Sequence, residues 1–331
     1  MRSPQPIVEI VATGRYLPER VVTNDDLQKM GVDTNDEWIR ERTGIRERRI
    51  ASPEMGAADM AANASRIAME RAGIQPGELD LIVLSTATPD RLLPSTACDL
   101  QALLGATNAA AFDVSAACTG FIYAMSMAEG YIAAGRGEVA LVVSTEKMSA
   151  IVDWGDRSTC VLFGDGAGAA IVRKASNGRG IISSFIRSDG TLAELLWRPG
   201  GGAKIPMDIA VLDEKNHLVK MAGREVFKAA VRSMAESADQ ALLRAGLTGP
   251  DIDLFIPHQA NMRIIEATAK YASVPMEKVF VNVDRYGNMS SATLPVALDE
   301  ALEQGRIKPG NDVMMVAFGA GFTWGSMVVR W

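Results

Sequence analysis

Cys118 stands in the sequence setting expected of a reactive thiol. It lies in Phe112-Asp-Val-Ser-Ala-Ala-Cys-Thr-Gly-Phe, where a short strand ends, small residues turn the chain and a helix begins. The N–H groups and the dipole at a helix start favour the thiolate form of a cysteine, and the small neighbours leave room for a substrate. The segment therefore predicts a nucleophile, and a buried inert cysteine is the alternative that local sequence leaves open.

Two other segments carry polar side chains that could assist such a nucleophile. His258 directly follows an apolar strand in Phe255-Ile-Pro-His-Gln-Ala-Asn-Met-Arg, and Asn288 lies in Tyr286-Gly-Asn-Met-Ser-Ser, for which a simple turn is the alternative. The other candidates are interpreted as structural, namely Cys98 and Cys160 as core residues and His217 as a solvated loop residue.

Two glycine-rich segments do not match nucleotide-binding loops. Phe163-Gly-Asp-Gly-Ala-Gly-Ala-Ala lacks the Lys-Ser/Thr of a phosphate-binding loop, and Gly319-Ala-Gly-Phe-Thr-Trp-Gly does not fit the dinucleotide-binding pattern. The second segment follows an apolar strand, so its backbone N–H groups are candidates for an oxyanion hole.

Composition and charge exclude several classes of protein. The chain has 331 residues, of which 48% are apolar and 22% charged, typical of a globular protein of about two domains. The net charge of −6 argues against sequence-independent nucleic-acid binding. Three cysteines, two histidines and no Cys-x-x-Cys exclude a disulfide scaffold and argue against a zinc site. The opening residues lack a signal peptide, and glycines interrupt the longest uncharged run, Val313–Val329, so we expect a cytoplasmic protein without a membrane span.

Apolar runs of strand length alternate with helical stretches, which predicts an α/β protein built from βαβ units. The predicted strands are Leu79–Leu84, Val139–Val143, Gly168–Val172, Ile252–Ile256 and Val313–Phe318. The predicted helices are Ala57–Ala72, Cys118–Ala134, Arg224–Ala245 and Met262–Ala272.

The sequence contains an internal repeat. Arg71-Ala-Gly-Ile-Gln-Pro-Gly-Glu-Leu-Asp-Leu-Ile-Val returns as Arg244-Ala-Gly-Leu-Thr-Gly-Pro-Asp-Ile-Asp-Leu-Phe-Ile at an offset of 173, and Ala134-Gly-Arg is echoed by Gln304-Gly-Arg at an offset of 170. Two similar offsets in one order predict a duplicated half of roughly 170 residues, with chance similarity between common turns as the alternative. The seam is expected near residues 174–180.

The repeat also predicts where the polar residues lie. At the 173 offset His258 corresponds to Ser85, so it should follow the carboxyl end of its own strand. At the 170 offset Asn288 corresponds to Cys118, so both should begin the equivalent helix of their half. Sites in open α/β sheets gather at strand carboxyl ends and helix N-termini, which predicts that Cys118, His258 and Asn288 converge.

Taken together, the motifs resemble those of β-ketoacyl-acyl-carrier-protein synthase III, the initiating condensing enzyme of dissociated bacterial fatty acid synthesis. The resemblance runs nearly from end to end and is carried by Gly14-Arg-Tyr-Leu-Pro, Asp36-Glu-Trp-Ile-Arg-Glu-Arg-Thr-Gly-Ile-Arg-Glu-Arg, Ala116-Ala-Cys-Thr-Gly-Phe, Asp156-Arg-Ser-Thr, Phe163-Gly-Asp-Gly-Ala-Gly-Ala, His258-Gln-Ala-Asn-Met-Arg-Ile, Tyr286-Gly-Asn-Met-Ser-Ser-Ala and Gly319-Ala-Gly-Phe-Thr-Trp-Gly. It implies the thiolase fold, a duplicated αβαβα body in five layers, and a homodimer. We place the two halves at residues 1–175 and 176–331.

The family's Cys-His-Asn triad maps onto Cys118, His258 and Asn288. The resemblance implies that Cys118 takes the acyl group of a short acyl-CoA, while the backbone N–H groups of Cys118 and Ala320 hold the oxyanion. His258 and Asn288 then stabilise the enolate formed when malonyl-acyl carrier protein loses CO₂, and the product is a 3-oxoacyl-acyl carrier protein. No metal or redox cofactor is implied.

Further residues take their roles from the resemblance alone. For CoA and the substrate tunnel they are Thr34, Trp38, Arg42, Arg157, Met221, Asn261 and Phe318. For acyl carrier protein, an acidic partner that needs a local basic patch, they are Lys228, Gln259, Ala260, Asn261, Met262 and Arg263, with Arg232 a weaker candidate. Ordinary solvated helix faces are the alternative for the charged residues.

Two departures from the family pattern concern the loop beside the nucleophile and the primer pocket. Ala320 stands where the family often has Gly, and Leu93 matches a position that reaches across the dimer to form the floor of the primer pocket. A leucine there predicts tolerance of longer or branched primers than a bulky aromatic residue would allow. A related acyltransferase, a starter-unit condensing enzyme of secondary metabolism and a non-catalytic thiol sensor remain as alternative functions.

Overall fold

The apolar strands form two main sheets. The structure is a computed structural model and describes residues 6–331. The strands are β1 (Val8–Tyr16), β2 (Val21–Thr23), β3 (Glu47–Arg49), β4 (Leu81–Ser85), β5 (Ala110–Val114), β6 (Val139–Lys147), β7 (Asp165–Lys174), β8 (Gly180–Ser188), β9 (Leu196–Trp197), β10 (Lys220–Met221), β11 (Leu254–Pro257), β12 (Asp312–Gly319) and β13 (Thr323–Arg330).

Helices follow most of the main strands. They are α1 (Asn24–Lys29), α2 (Asp36–Thr43), α3 (Ala57–Ala72), α4 (Thr96–Leu104), α5 (Gly120–Ala133), α6 (Ile209–Asp213), α7 (Gly223–Ala245), α8 (Met262–Tyr271), α9 (Val283–Tyr286) and α10 (Thr293–Glu303). Every predicted strand and helix is present, and α3 has the predicted bounds. The predicted strand Val139–Val143 continues to Lys147, because Ser144, Thr145 and Glu146 are buried although they are polar.

Each main sheet draws its strands from one part of the chain. The first has the order β1-β7-β6-β4-β5, with β4 parallel to β5 and β6 and with β7 antiparallel to β1 and β6. The second has the order β11-β12-β13-β8, with β11 parallel to β12. The chain passes from the first sheet to the second between Lys174 and Gly180.

Helices cover the outer faces of the sheets and fill the space between them. α3 and α4 pack on the first sheet, α7 and α8 pack on the second, and α5 and α10 contact strands of both. Apolar side chains of the two central helices and of both sheets form one core cluster, which includes Phe121, Leu294, Val83 and Val313. The order of layers is αβαβα, which confirms the α/β class and the five-layered arrangement.

The repeated sequence has a repeated structure. Gly73 and Gly246, which follow α3 and α7, have φ values of 67° and 70°, a left-handed conformation that glycine adopts without strain. A 3₁₀ turn and then a parallel strand follow in both copies, at Pro76–Glu78 and β4 and at Gly249–Asp251 and β11. The internal repeat therefore corresponds to a helix-turn-strand unit present in each sheet's part of the chain.

The predicted equivalence of Asn288 and Cys118 is wrong. The 3₁₀ turns that precede α5 and α10 are Ala117–Thr119 and Ser290–Ala292, so the offset there is 173 and Cys118 corresponds to Ser291. The offset falls to 170 only at the far ends of these helices, because α10 has 11 residues and α5 has 14. Asn288 lies before its turn and does not begin a helix.

Gly14 allows β1 to lie directly against α3. A Cβ at this position would lie 2.4 Å from the carbonyl oxygen of Ala64 and 2.6 Å from the backbone nitrogen of Ala68. Neither backbone atom can move without displacing the helix, so the glycine of the Gly14-Arg-Tyr-Leu-Pro motif is a packing requirement.

We expect Gly14→Ala to lower the free energy of unfolding by about 1–3 kcal/mol, because the added methyl group overpacks this contact. Urea unfolding followed by circular dichroism measures the change. Gly77→Ala is the control, since the nearest atom to its Cβ is 3.9 Å away, and it should change stability by less than about 0.5 kcal/mol. Equal losses in the two variants would contradict the packing argument.

Candidate active site

Cys118 lies in the 3₁₀ turn Ala117–Thr119, between β5 and α5. Ala117 has a φ of 44°, a left-handed conformation that is strained for alanine. The end of β12 lies against this turn, since a Cβ on Gly319 would be 2.6 Å from the backbone nitrogen of Cys118. The absence of a side chain at residue 319 permits this approach and places the Gly319-Ala320-Gly321 loop beside the cysteine.

Burial keeps the Cys118 thiol neutral. Desolvation raises the pKa of the thiol to about 12, Ser290 opposes this with its Oγ 3.5 Å from Sγ, and the negative charge of Glu146 adds to the increase. The thiolate expected from the helix start is therefore not the resting form, because the cost of burying the charge exceeds what the local N–H groups supply.

His258 follows β11 and is held by a threonine. Its backbone N–H donates to the carbonyl of Val316 (2.7 Å), and its Nδ1 lies 2.6 Å from Oγ1 of Thr293, the first residue of α10. Burial lowers the pKa of the ring to about 3, so the imidazole is neutral. Because Nδ1 is occupied, Nε2 is the ring nitrogen left for a substrate.

Asn288 is fixed through its backbone and its side-chain oxygen. Its N–H donates to the carbonyl of Leu162 (2.8 Å), and its carbonyl accepts from the N–H of Gly164 (3.1 Å). Its Oδ1 accepts from the backbone N–H of Ser290 (2.8 Å). Since this bond uses the amide oxygen, Nδ2 is the end of the amide that can donate to a ligand.

One cavity of about 680 Å³ is lined by Cys118, His258 and Asn288 together. Cys118 comes from the end of the first sheet, and the other two residues come from the part of the chain that builds the second sheet. The structure thus brings together a neutral thiol, a neutral imidazole and an amide donor. This set of uncharged groups is suited to thioester chemistry.

Cationic side chains surround the outer part of this cavity. Arg42 and Arg157 lie over the ring of Trp38, with 4.6 Å and 5.1 Å between the guanidinium carbon and the ring centroid. The cations that line the cavity, here called the basic mouth, are Arg42, Arg157, Arg224, Lys228 and Arg263. An aromatic ring with cations beside it is a suitable site for a planar base that carries phosphates.

Comparison with known proteins identifies the family. Residues 112–190 match the family model of 3-Oxoacyl-[acyl-carrier-protein (ACP)] synthase III, and residues 242–331 match the model of its C terminal part. A β-ketoacyl-[acyl-carrier-protein] synthase III from Caldanaerobacter subterraneus subsp. tengcongensis is 50% identical, with 97% of each chain covered. The chain belongs to the β-ketoacyl-acyl-carrier-protein synthase III family.

Solved structures agree with this assignment. The 3-oxoacyl-[acyl-carrier-protein] synthase III of Aquifex aeolicus VF5 is 47% identical with a TM-score of 0.90, covering 98% of this chain and 100% of that one. The priming β-ketosynthase of the R1128 polyketide biosynthetic pathway is 37% identical with a TM-score of 0.91, covering 99% and 98%. The thiolase fold is thereby confirmed, and this synthase III is a condensing acyltransferase.

The substrate-binding residues inferred for the synthase III divide into two groups. Those that line the cavity are Trp38, Arg42, Arg157, Met221, Asn261 and Phe318. Thr34 lies outside the lining, next to Asp33, whose carbonyl accepts from Arg157 (2.9 Å). Leu93 also lies outside the cavity of a single chain and is 85% exposed.

The carrier-protein contacts inferred for the synthase III are only partly accessible. Lys228, Ala260 and Arg263 line the cavity, as does Asn261, whereas Met262 packs beside Gly44 and Arg232 is exposed on α7 outside the lining. The carrier-protein contact predicted for Gln259 is wrong, because this side chain is fully buried. Its amide donates to the carbonyls of Pro257 and Phe280 and accepts from the N–H of Asn282, so it holds the loop and does not reach a partner.

Two structural interpretations also need correction. Cys98 is exposed, because α4 packs at the edge of the first sheet, whereas Cys160 is buried as expected. His217 is half-buried, and its Nδ1 lies 3.4 Å from the carbonyl of Val211.

Among residues 6–331 no group of three or more His, Cys, Asp or Glu side chains could hold a metal ion, and no helix is long and apolar enough to cross a membrane.

Two residues that contact the candidate triad were not predicted from the sequence. Ser290 contacts Cys118, and Thr293 contacts His258. Ser290 lies in the Tyr286-Gly-Asn-Met-Ser-Ser segment. Its position two residues after Asn288 was the signal in the sequence that could have identified it. Glu146 had no local signal, because only the fold brings the end of β6 close enough for its charge to act on Cys118.

We expect Cys118 to react with iodoacetamide slowly near neutral pH and about tenfold faster with each added pH unit, because only the thiolate reacts and a pKa of about 12 leaves little of it. Peptide mass spectrometry after timed alkylation measures the rate at Cys118 separately from Cys98 and Cys160. A rate that no longer changes with pH near neutrality would show a resting thiolate and contradict the assignment.

Proposed function

We propose that this synthase III condenses a short acyl-CoA primer with malonyl-acyl carrier protein, releasing CoA and CO₂ and giving a 3-oxoacyl-acyl carrier protein. The observation that carries the proposal is the single cavity that holds Cys118, His258 and Asn288 behind a basic mouth. The reaction needs no metal or redox cofactor, and the cytoplasm, where fatty acid synthesis is initiated, is its expected location.

In the first half-reaction the sulfur of Cys118 attacks the thioester carbonyl and CoA leaves. The carbonyl oxygen becomes an oxyanion that needs donors already in place. The backbone N–H groups of Cys118 and Ala320 are proposed for this role, and the close approach of Gly319 to the Cys118 turn supports it. The methyl group of Ala320 narrows the loop without removing its N–H.

In the second half-reaction malonyl-acyl carrier protein loses CO₂ and becomes an enolate. Nε2 of His258 and Nδ2 of Asn288 are the donors proposed for its oxygen. A neutral imidazole donates from Nε2 only if Nδ1 accepts, and this requires the hydroxyl of Thr293 to donate to Nδ1 at 2.6 Å instead of to the carbonyl of Ser290 at 3.0 Å. The low pKa of His258 also keeps the ring from protonating the carbanion before it attacks the acyl-cysteine.

The mouth suits the two substrates in turn. Trp38 with Arg42 and Arg157 beside its ring fits the adenine and phosphates of CoA, and Asn261, Met221 and Phe318 form the walls for the pantetheine arm. The CoA contact proposed for Thr34 rests on the family resemblance alone. Carrier protein is acidic, so Lys228, Arg263 and the exposed Arg232 of α7 are its proposed contacts. Arg224 also lines the mouth and joins this set.

We expect His258→Ala and Asn288→Ala to acylate Cys118 normally and to lose condensation by about 10²–10³-fold each, because a donor to the enolate is removed. Cys118→Ala should abolish acylation. Intact-mass measurement of acyl-enzyme after incubation with acetyl-CoA follows the first half-reaction, and CO₂ release with malonyl-carrier protein follows the second.

His217→Ala is the matched control, since this histidine lies outside the cavity lining, and it should retain both half-reactions. Absence of any acyl adduct on Cys118 would favour a non-catalytic thiol function and overturn the proposal. Normal condensation by Asn288→Ala would overturn the assigned donors.

We infer a homodimer from the exposed edge of the first sheet. β5 is its last strand, and Phe112 on this strand is exposed, as is Met127 on α5. Leu92 and Leu93, which precede α4, are 81% and 85% exposed. A sheet edge with apolar side chains is unfavourable in water and favours pairing with a second chain, which would carry Leu93 toward the partner's primer pocket.

We expect the enzyme to accept isobutyryl- and hexanoyl-CoA as well as acetyl-CoA, because leucine at position 93 leaves space that an aromatic ring would fill. Leu93→Phe should lower the hexanoyl-to-acetyl ratio of kcat/KM about tenfold or more. Leu92→Phe is the matched control and should leave the ratio unchanged. Strict acetyl preference in the unmodified enzyme, or a monomer by light scattering, would contradict the assignment of Leu93.

A starter-unit condensing enzyme of secondary metabolism is the second candidate. The similarity to the R1128 priming β-ketosynthase supports it, and the exposed Leu93 is compatible with unusual primers. The same panel of acyl-CoA substrates separates the two functions, since a fatty-acid initiator should favour the short primers acetyl- and isobutyryl-CoA over longer ones.

A further inference from the structure

The segment that carries Asn288 connects two helices. Residues 287–292 join α9 to α10, and they include Ser290, which contacts Cys118. Gly287 and Ser290 have φ values of 66° and 46°, left-handed conformations of which the second is strained for serine. The helix before the segment is a single turn, too short to be stable by itself. The segment therefore depends on contacts with other parts of the chain.

Glu300 is a buried carboxylate of α10 that bonds both ends of α9. It is 4% exposed. Its Oε2 accepts from Nδ2 of Asn282 (2.9 Å), the residue that precedes α9. Its Oε1 accepts from Arg285 (2.5 Å), which supplies a counter-ion, and from the hydroxyl of Tyr286 (3.3 Å) and the amide of Gln304 (3.3 Å). One side chain thus holds α9 against α10.

Gln259 connects the His258 loop to the start of the same short helix. Its Oε1 accepts from the backbone N–H of Asn282 (3.0 Å). Its Nε2 donates to the carbonyl of Pro257, the residue before His258 (2.8 Å). Asn282 therefore bonds to Gln259 through its backbone and to Glu300 through its side chain.

These contacts close on themselves. The members of the circuit, here called the clasp, are His258, Gln259, Asn282, Glu300 and Thr293. The circuit is completed along α10, because Oγ1 of Thr293 lies 2.6 Å from Nδ1 of His258. Backbone bonds to residues 162 and 164 hold Asn288 itself. The clasp therefore sets where His258 and α9 lie relative to Asn288.

The nucleophile turn has anchors of its own. The hydroxyl of Thr119 donates to the carbonyl of Thr323 (3.1 Å), and the hydroxyl of Thr323 donates to the carbonyl of Ala116 (2.9 Å). Both bonds join the turn to the start of β13 and not to the clasp. Loosening the clasp should therefore leave Cys118 in place.

We propose that Glu300 is a positioning residue for condensation. Through its bonds to α9 it keeps His258 and Asn288 at the spacing that one enolate oxygen requires. The proposal rests on the donor roles proposed above for these two residues. Two hydrogen bonds to one oxygen need a fixed geometry, and a displacement of about 1 Å can lower a rate by about 10²-fold. Glu300 lies outside the cavity lining, so it acts through the clasp and not on the substrate.

The experiment measures the two half-reactions separately in Glu300→Gln. Glutamine keeps the shape of the side chain, but its single amide oxygen cannot accept from both Asn282 and Arg285. The rate of acyl-Cys118 formation at saturating acetyl-CoA should stay within about twofold, whereas the decay of preformed acyl-enzyme with saturating malonyl-carrier protein should slow about tenfold or more. Quenched flow with intact-mass detection measures both rates, and calorimetry measures Tm.

Glu303→Gln is the matched control, because this carboxylate lies on the same helix, is exposed and pairs with Arg15. It should keep both rates.

Asn282→Ala tests the clasp from the other side of the bond. Among residues 6–331 its Oδ1 has no partner, so the change removes a single side-chain hydrogen bond, the one to Glu300. Acylation should again be normal and decay of the acyl-enzyme slow. The double variant with Glu300→Gln should be no slower than the slower single variant, because both changes break the same link.

Each outcome decides the proposal. Slow decay with normal acylation in both single variants supports it. Normal decay in either variant, an equal loss in Glu303→Gln, or a loss of both half-reactions in the same proportion would overturn it, the last because it indicates a purely structural role. If Glu300→Gln fails to fold, Asn282→Ala decides alone. Absence of acyl-enzyme or of its decay in the unmodified protein refutes the proposed function itself, whereas normal rates in the variants refute only the role of Glu300.

Discussion

The removal of a polar site from water is the constraint on which the chemistry of this synthase III depends. Desolvation raises the pKa of Cys118, lowers that of His258 and raises that of Glu146. All three shifts favour the uncharged form of the group. A site with neutral thiol and neutral imidazole can accept an uncharged thioester without first breaking an internal ion pair, and charge then develops only as the reaction proceeds.

Close backbone contacts make this burial possible. Gly319 brings the end of β12 to the Cys118 turn, and Gly120 brings the start of α5 so near Ser85 that a Cβ would lie 1.7 Å from its Oγ. The duplication supplies two equivalent turns that meet here, and they have different side chains. Where the first half has Cys118, the second has Ser291, which binds Glu146. One copy of the turn thus carries Cys118, the proposed nucleophile, and the other holds the carboxyl group of Glu146.

Sequence patterns predicted the parts of this structure that local rules determine. The buried strands follow from apolar patterning, the repeat follows from two matching segments, and the position of His258 follows from the rule for strand ends. Asn288 joins Cys118 and His258 in the cavity although the helix start predicted for it is wrong. The protonation state of Cys118 did not, because a helix start favours the thiolate locally while burial depends on the whole fold. Gln259 and Glu146 show the same limit. Gln259 lies in a motif, but its side chain faces the interior. Glu146 lies near the end of a strand, and only the fold shows which groups surround it.

The local distribution of charge allows an acidic protein to suit the anionic substrates proposed for it. The net charge is −6, yet the charged side chains that line the cavity are all cations, Arg42, Arg157, Arg224, Lys228 and Arg263. Arg157 is also bonded to Asp33, at 3.1 Å between Nη1 and the carboxylate, so its guanidinium is held over Trp38 before any ligand arrives. Because charges more than about 10 Å apart are screened at moderate salt, the approaching phosphates respond to the mouth and not to the total charge. Encounter with an acidic carrier should therefore weaken with ionic strength, while the acylated cysteine inside remains unaffected.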